Sequence, residues 1–319
     1  MILKNSKQMI KVLLTNVGRR TYFIRYFNDL IKLGYPLKIY LSDMSMDTAS
    51  FYVNKNFKKV VFPKVSLSEK NYIKKVMIFC KKKKINLVFP LTDLDLHILA
   101  KHKNSFLKNK TTLVVSNANL IKTFHNKITA HNFCLKKKIN SPKIFNDIKF
   151  ISFPVIQKKI KGSGSQDLKL IKNKKFLLPL KDKKSFFQKF IKGKEYNMDI
   201  LNDLKGNYLH STTKLKLLMR AGETDKAQIV KKKIFNNLGK KLSNHIQHIG
   251  SIDVDFIMDN NNNIFFIDFN LRFGGGYPFT HEAGSNYLKA IIDNYMNKKI
   301  YIKNPRNITG YKGIEILYR

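Results

Sequence analysis

The sequence has 319 residues, of which 43% are hydrophobic, so it can bury at least one full core and form two domains or one large domain with subdomains. Its longest apolar stretches, such as residues 264–267, are only of strand length, and none approaches the ~20 residues that a membrane span needs. Residues 1–11 carry lysines but no apolar signal-peptide core, which argues against secretion and predicts a cytoplasmic protein without a membrane partner.

The formal net charge of +40 comes almost entirely from lysine. A charge of this size is found in proteins that bind nucleic acid or anionic membranes. Here the lysines occur in short runs along the whole chain, as at 81–84, 136–138 and 231–233, which is typical of solvated surface. No cluster of basic and aromatic residues accompanies them, so we expect only nonspecific, salt-sensitive adhesion to nucleic acid and other polyanions.

The first third of the sequence alternates between strand and helix patterns. A β-rich run at 11–15 is followed by a turn at 16–20 and by helical spacing of apolar residues at 22–31. Alternation of this kind indicates a parallel, doubly wound α/β sheet, whose ligands bind beyond the carboxyl ends of the strands. Gly18, Asp43 and Asp93 fall at those ends. The remaining elements of this unit are expected as strands at 37–41, 59–62, 86–90 and 112–115, and as helices at 72–80 and from about 117.

The pattern changes near residue 120, where a second domain is expected to begin. Its clearest element is a hairpin, in which strands at 253–258 and 264–269 flank a turn of Asp259 and four asparagines. After about residue 300 we expect an irregular tail with one edge strand. The other elements of this part are expected as strands at 153–158, 167–171, 195–201 and 207–213, and as helices at 185–191 and within 226–248.

The hairpin places oxygen-bearing side chains on two neighbouring strands. Asp253 and Asp255 share one face of the first strand, and Asp268 and Asn270 share one face of the second. If the strands pair across the asparagine turn, these oxygens converge on one point. Mg²⁺ favours a few carboxylates completed by nucleotide phosphates and water. The alternative is that the acids line the solvated face of an ordinary antiparallel hairpin.

Arginine is rare in this lysine-rich chain, and two arginines stand beside glycines. Arg272 precedes three glycines at 274–276, where the backbone can approach a ligand closely and a fixed positive charge can stabilise a transferring phosphoryl group. Arg220 begins the segment Arg-Ala-Gly-Glu. Planar, bidentate recognition of an anion is the chemistry for which arginine differs from lysine, and an ordinary surface arginine is the alternative for each.

A short loop of glycine and serine follows the strand at 153–158. It consists of Gly162, Ser163, Gly164 and Ser165, whose backbone N–H groups and hydroxyls suit closure over phosphates. By itself such a loop is also an ordinary flexible turn. Two lysines, Lys158 at the end of the preceding strand and Lys127 on an earlier helix, are candidate phosphate-binding cations that favour the first interpretation.

Taken together, these residues resemble the ATP-grasp superfamily, in particular the stand-alone proteins similar to a fragment of the carbamoyl-phosphate synthase large subunit. The resemblance extends from about residue 11 to residue 299 and includes the opening strand and turn at 13–20 and the strand end at 89–93. It implies an N-terminal parallel, doubly wound, Rossmann-like pre-ATP-grasp domain at 1–118. A two-subdomain α+β ATP-grasp module at 119–300 and a C-terminal tail at 301–319 are expected to follow.

The resemblance also implies a role for each candidate residue. Lys127 and Lys158 are the lysines that bind ATP, the loop 162–165 is the phosphate lid, and Glu195 holds the ribose hydroxyls. Arg272 corresponds to the catalytic arginine, and Arg220 to a motif on the phosphate or substrate side. The hinge around adenine corresponds to Gln188, Lys189, Phe190 and Ile191, and the magnesium ligands to Asp255, Asp268 and Asn270.

The activity that the resemblance implies is ATP- and Mg²⁺-dependent ligation. A small-molecule carboxylate is activated as an acyl phosphate, and an amine or similar nucleophile then forms a C–N bond with it. The resemblance allows Mn²⁺ in place of Mg²⁺, and it allows a homodimer. Substrate choice is expected at the interface with the first domain, near Arg19, Arg20, Asp43 and Asp93.

Three positions depart from the pattern of the family. Lys159 stands where a proline usually follows the second lysine. Lys189 stands where an acidic hinge residue is usual, and Asp268 stands where the second metal ligand is usually Glu. These departures leave open an ATP-binding protein that has lost catalysis and acts as a regulatory or scaffold subunit. The net charge alone leaves open a polyanion-binding protein.

Overall fold

The computed structural model describes residues 8–145, 147–162, 168–177 and 184–318. They begin with a unit of alternating strands and helices. Its elements are β1 (Ile10–Thr15), α1 (Thr21–Lys32), β2 (Leu37–Asp43), β3 (Lys58–Val61), α2 (Glu69–Lys83), β4 (Leu87–Pro90), α3 (Asp93–Lys101), α4 (Lys103–Lys108), β5 (Thr112–Leu113) and α5 (Ala118–His125). The five strands are parallel in the order β3-β2-β1-β4-β5, which confirms the predicted doubly wound sheet.

A small antiparallel sheet follows the first unit. The chain passes through α6 (Lys127–Lys136), β6 (Ile144–Phe145), β7 (Val155–Lys159), β8 (Lys169–Ile171) and β9 (Ser185–Lys189), and the four strands lie in the order β6-β9-β7-β8. The helix predicted at 185–191 was wrong. Phe186, Phe187, Phe190 and Ile191 have helical spacing, but residues 185–189 form a strand that is hydrogen-bonded to both β6 and β7.

The largest sheet carries the predicted hairpin. Its elements are β10 (Gly193–Asn202), β11 (Tyr208–Arg220), β12 (Glu223–Val230), α7 (Lys233–Ile246), β13 (Gly250–Asp259), β14 (Ile264–Asn270), α8 (Tyr277–Glu282), α9 (Tyr287–Tyr295) and β15 (Thr309–Tyr311). The strand order is β14-β13-β10-β11-β12-β15, so the tail supplies one edge strand as expected. The helix predicted within 226–248 is limited to α7, because residues 223–230 pair with β11.

The turn of the hairpin is held by one side chain. Asp259 accepts hydrogen bonds at its Oδ1 from the backbone N–H groups of Asn261 (2.9 Å) and Asn263 (2.8 Å). Asn262 adopts a φ of 61°, a left-handed conformation that asparagine tolerates well. The turn therefore fixes the register of β13 and β14, which sets the candidate metal ligands opposite one another.

The first unit and the largest sheet share their buried core. One cluster joins Leu13 and Val88 of the parallel sheet with Ile252 and Phe256 of β13. A second is bridged by aromatic contacts, such as the ring of Phe23 on α1, which lies 4.9 Å from that of Phe273 and 5.8 Å from that of Tyr277 between centroids. The small sheet has its own, smaller cluster. Among the described residues, no helix has the length and apolar character needed to span a membrane.

Candidate nucleotide-binding site

A cleft of about 580 Å³ lies between the small sheet and the largest sheet. Ile156 contributes to one wall, and Ile257 and Ile267 contribute to the other, so branched aliphatic side chains line both walls. The predicted nucleotide-binding residues that line this cleft are Lys127, Lys158, Gly162, Gln188, Lys189, Phe190, Ile191 and Glu195. Ser163, Gly164 and Ser165 lie outside the described residues.

The hinge residues are fixed by hydrogen bonds to the small sheet. Gln188 Nε2 donates to the carbonyl oxygen of Pro142 at 3.2 Å, and the backbone N–H of Lys189 donates to that of Lys143 at 2.8 Å. The backbone N–H of Phe190 donates to the carbonyl oxygen of Pro154 at 3.2 Å. The side chain of Lys189 is exposed, so the departure from an acidic residue does not disturb the buried part of the strand.

The two predicted phosphate-binding lysines reach the cleft from different elements. Asn126 caps α6 by accepting from the backbone N–H groups of Ile128 and Thr129, so Lys127 is the first residue of the helix. A helix N-terminus favours phosphate. Lys127 also donates its backbone N–H to the carbonyl oxygen of Ile160 at 2.9 Å, which ties the helix to the end of β7. Lys158 lies on β7, and burial lowers its pKa to about 8.

The candidate metal ligands face one another across the hairpin. Asp255 pairs with Asp268, and Asp253 pairs with Asn270, in the register of β13 and β14. Asn197 on β10 donates its Nδ2 to Oδ1 of Asp253 (2.5 Å) and to Oδ1 of Asp255 (2.7 Å). Asp253 is buried, and this burial, helped by the charge of Asp255, raises its pKa to about 6.

This set of ligands fits a magnesium ion that is bound together with phosphate. The described residues contain no cluster of three or more His, Cys, Asp or Glu side chains able to hold a metal alone. Two carboxylates and an amide from neighbouring strands are all-oxygen donors, as Mg²⁺ prefers, and nucleotide phosphates would complete the coordination. Lys127 Nζ lies 2.6 Å from Oδ1 of Asp268, so this cluster already attracts a positive charge.

Lys216 belongs to the site, although nothing in the sequence distinguishes it from other lysines. Its Nζ lies 2.7 Å from Oε1 of Glu195 and 2.8 Å from Oδ2 of Asp255, and its side chain is 5% exposed. It therefore connects the candidate ribose-binding carboxylate to a candidate metal ligand. Although burial opposes its charge, the carboxylates of Asp255 and Glu195 raise the pKa of Lys216.

Arg272 is held at the junction of the two domains. Its Nη2 lies 2.6 Å from Oδ2 of Asp93, at the start of α3, and its Nη1 donates to the carbonyl oxygen of Phe273 at 3.1 Å. Its Nε has no hydrogen-bond partner among the described residues. Although burial opposes its charge, Asp93 raises the pKa of the Arg272 guanidinium. Because Nη2 is also 3.4 Å from Oδ1 of Asn270, the guanidinium lies beside the candidate metal ligands.

Arg220 is not brought into the cleft. It lies at the end of β11, where its exposed guanidinium is 2.6 Å from Oδ2 of Asp225. In the segment 220–223 it is Glu223 that faces the glycines after Arg272, because a Cβ on Gly275 would lie 3.3 Å from its Oε2. Burial alone would raise the pKa of Glu223, but the charges of Lys312 and Arg20 lower it.

Some residues that were expected to choose the substrate make internal hydrogen bonds, whereas Asp93 lines a cavity. Asp43 accepts from the backbone N–H groups of Gly18 and Met44, each at 2.7 Å, so it holds the turn after β1. Arg20 donates through Nη1 to the Tyr22 hydroxyl at 2.9 Å. Asp93 lines a second cavity, of about 70 Å³, beside the nucleotide cleft. Lys127, Gly162 and Asp268 line both cavities.

Comparison with family models identifies two segments. Residues 12–114 match the PylC-like N-terminal domain, and residues 124–276 match the ATP-grasp domain. Comparison with curated proteins gave no match.

Solved structures share the fold at low sequence identity. The biotin carboxylase domain of the 2-oxoglutarate carboxylase of Hydrogenobacter thermophilus, in complex with MgADP, ADP and bicarbonate, is 15% identical with a TM-score of 0.73 over 94% of this chain and 73% of that one. An L-amino acid ligase from Bacillus licheniformis is 15% identical with a TM-score of 0.68, over 91% and 75%. A pyruvate carboxylase variant of Rhizobium etli is 15% identical with a TM-score of 0.67, and this chain covers only 28% of it.

The fold and the register of the hairpin are consistent with the two family matches. A parallel sheet precedes two antiparallel sheets, and the cleft between the latter carries lysines on one side and carboxylates on the other. The chain therefore contains a PylC-like N-terminal domain at residues 12–114, followed by an ATP-grasp domain at residues 124–276.

Proposed function

We propose that this protein is an ATP- and Mg²⁺-dependent ligase that activates a carboxylate as an acyl phosphate for attack by an amine. The observation that carries the proposal is the pairing of Asp255 with Asp268 at the edge of a cleft of about 580 Å³ that also contains Lys127 and Lys158. Carboxylates that hold a metal and lysines that hold phosphates are the two requirements for positioning a triphosphate for transfer. The match of residues 124–276 to the ATP-grasp domain supports this chemistry.

Each side chain has a task in the proposed reaction. Lys127 and Lys158 bind the phosphates, and Glu195 accepts from the ribose hydroxyls. Asp255, Asp268 and Asn270 would hold Mg²⁺, which would neutralise charge on the phosphates. A carboxylate oxygen of the substrate attacks the γ-phosphorus, the bond to the bridging oxygen breaks, and ADP leaves.

The second step forms the C–N bond. The amine attacks the carbonyl carbon of the acyl phosphate, inorganic phosphate leaves with the oxygen of the broken bond, and the amine loses a proton. Arg272, which is nearly buried and borders Asn270, is positioned to stabilise the negative charge on the phosphoryl group in both steps. The cavity of about 70 Å³ beside the cleft has space for only a small group.

The test is an ADP-release assay over pairs of small carboxylates and amines, with and without Mg²⁺. We expect turnover that requires Mg²⁺ and a carboxylate. We expect Asp268→Asn to reduce kcat/KM by about 100-fold or more, because it weakens the binding of a metal ion that supplies several kcal/mol of charge stabilisation. Asp29→Asn on α1 is the matched control, since that carboxylate is exposed and does not line the cleft.

Either of two results would contradict part of this proposal. ATP binding without ADP release for any pair would favour the regulatory or scaffold alternative, which the shorter side chain of Asp268 motivates. Unchanged turnover in Asp268→Asn would reject the proposed metal ligands.

A further inference from the structure

Asp253 is a buried carboxylate to which the proposed mechanism assigns no task. It lies on β13, opposite Asn270 of β14 and Asp199 of β10, and is 7% exposed. Its two oxygens accept from two different side-chain amides. Asn197 Nδ2 lies 2.5 Å from Oδ1, and Asn270 Nδ2 lies 3.0 Å from Oδ2.

The orientation of the Asn270 amide decides whether this residue is able to bind a metal. An asparagine side chain presents either a carbonyl oxygen or an NH₂ group, and only the oxygen coordinates Mg²⁺. An ionised carboxylate only accepts hydrogen bonds, so Asp253 holds the NH₂ group of Asn270 on its own side. The carbonyl oxygen of Asn270 is then directed away from Asp253, where it lies 3.4 Å from Arg272 Nη2.

Asp253 also acts on a second proposed metal ligand, Asp255, which lies on its own strand. The NH₂ group of Asn197 donates to Asp253 and, at 2.7 Å, to Oδ1 of Asp255. A carboxylate at 253 therefore fixes Asn270 directly and Asp255 through Asn197. These are two of the three proposed metal ligands.

The chain after Arg272 closes over this carboxylate. A Cβ on Gly274 would lie 2.2 Å from Cγ of Asp253 and 2.4 Å from its Oδ1, which is far closer than atoms approach without bonding. The glycine thus allows the backbone to cover Asp253. As a consequence the carboxylate has little space to rotate away from its two amide partners.

We propose that Asp253 is a positioning residue that orients the Asn270 amide with its oxygen towards the metal of the nucleotide complex. The inference rests on the proposed function, because it requires that Asn270 bind a metal. Outer partners of metal ligands commonly act in this way, and their loss typically costs about 10–100-fold in metal affinity.

The test starts with Asp253→Asn, which conserves size and shape. The new amide has one oxygen and one NH₂ group, yet it faces two NH₂ groups. If its oxygen accepts from Asn197, its NH₂ group meets that of Asn270, which must turn its own NH₂ group towards the metal. We expect Mn²⁺ binding, measured by electron paramagnetic resonance with a non-hydrolysable ATP analogue, to weaken about 10–100-fold.

The matched control exchanges the two groups in Asp253→Asn/Asn270→Asp. The Asn at 253 accepts from Asn197 and donates to the Asp at 270, so every hydrogen bond has a donor and an acceptor. An oxygen faces the metal whichever way the carboxylate at 270 turns. We expect the exchanged variant to bind Mn²⁺ within about threefold of the wild type.

A purely structural role predicts a different result. Asp253→Asn would then lower the melting temperature without changing Mn²⁺ affinity, and that outcome overturns the inference. Metal-free binding of the ATP analogue, measured by calorimetry, is expected to stay within about twofold of the wild type, because Asp253 does not line the nucleotide cleft.

Two further outcomes are decisive. If Asp253→Asn does not fold, the exchanged variant alone decides, since Mn²⁺ binding more than about tenfold weaker than wild type in a folded exchanged variant contradicts the proposal. If the wild type binds the ATP analogue but no Mn²⁺, the proposed metal site and this inference both fail. Equal Mn²⁺ affinity of Asp253→Asn and wild type removes only the positioning role.

Discussion

Burial limits the pH range over which Lys158 carries the positive charge that attracts phosphate. Burial lowers its pKa to about 8, the charge of Asp268 opposes this shift, and that of Lys127 adds to it. The ammonium form, which attracts phosphate, is present below this pKa and is lost as the pH rises through it. We therefore expect the metal-free affinity for ATP, measured by calorimetry, to fall by about tenfold between pH 7 and pH 9.

Lys158→Arg provides the comparison for that pH profile. Arginine keeps its charge throughout this range, so the variant is expected to bind ATP with nearly the same affinity at both pH values. A wild-type affinity that does not change between pH 7 and pH 9 would contradict the assignment of Lys158 as a phosphate ligand.

Lys216 forms ion pairs with two carboxylates, those of Glu195 and Asp255. Breaking a buried ion pair costs roughly 3–5 kcal/mol, and solvent reduces this cost where a partner is exposed. Since Glu195 is 42% exposed and Asp255 is 19% exposed, we expect Lys216→Met to lower the free energy of unfolding by about 1–3 kcal/mol in urea titrations. Lys194→Met, on the same sheet but exposed, is the control and is expected to change stability by less than about 0.5 kcal/mol.

Sequence reasoning identified most of the cleft but missed this lysine. The nucleotide-binding candidates are recognisable because they form an ordered series of motifs, and the metal ligands because acids alternate along a hairpin. Lys216 belongs to no motif, and lysine is too common here for one lysine to attract notice. The acids at 43 and 253 were visible in the sequence, but only the contacts show that Asp43 holds a turn and Asp253 holds two amides.

At the scale of elements, α7 packs onto the largest sheet through a glycine. A Cβ on Gly239 would lie 2.3 Å from Oγ of Ser211 on β11. In a free helix alanine is favoured over glycine by about 1 kcal/mol, but here the added methyl group has no space. We expect Gly239→Ala to destabilise the protein by about 1–3 kcal/mol in urea titrations.

Asn237→Ala on the same helix provides the matched control. Its side chain is exposed, so the effect of the substitution on stability depends on helix propensity. The free energy of unfolding is expected to stay the same or to rise by a few tenths of a kcal/mol. If Gly239→Ala stabilised the protein as Asn237→Ala does, the close contact between α7 and β11 would be refuted.

Elements were predictable where local pattern and tertiary pairing agree. The hairpin of β13 and β14 satisfies both, because its alternation matches a half-buried sheet and its asparagine turn suits a left-handed residue. The segment 185–191 satisfies only one. Its apolar residues repeat with helical spacing, and the hydrogen bonds that make it a strand come from β6 and β7, whose paired residues are 26 to 44 positions earlier in the chain.

At the scale of the whole molecule, the net charge of +40 predicts how the protein adheres to polyanions, and it predicts nothing about the reaction that the protein catalyses. Lysine is spread over the surface, and ionic attraction of this kind falls steeply with salt. Polyanion binding that disappears at moderate salt while nucleotide binding persists is what solvated lysines imply.

The two family segments do not fold as two separate cores. Leu13 and Val88 of the first unit share one cluster with Ile252 and Phe256 of the largest sheet, and Phe23 of α1 contacts Phe273 and Tyr277. Cutting the chain near residue 118 would expose the apolar side chains on both sides of this contact. An independent domain has its own core and would not expose such a surface. We therefore expect a fragment of residues 1–118 to show no cooperative thermal transition by circular dichroism, whereas the full chain unfolds cooperatively.

Fragment 1–118 could fail to fold because it lacks its packing partner or because it is too short. A complementation experiment distinguishes these two explanations. When fragments 1–118 and 119–319 are produced together, the buried surfaces can meet again, and the mixture is expected to recover a cooperative transition and ATP binding. A fragment 1–118 that unfolds cooperatively alone would show that the parallel sheet is self-sufficient. In that case Arg272 and Asp93 would link two independent bodies across a mobile joint, and the ion pair between them would depend on domain closure rather than on a continuous core.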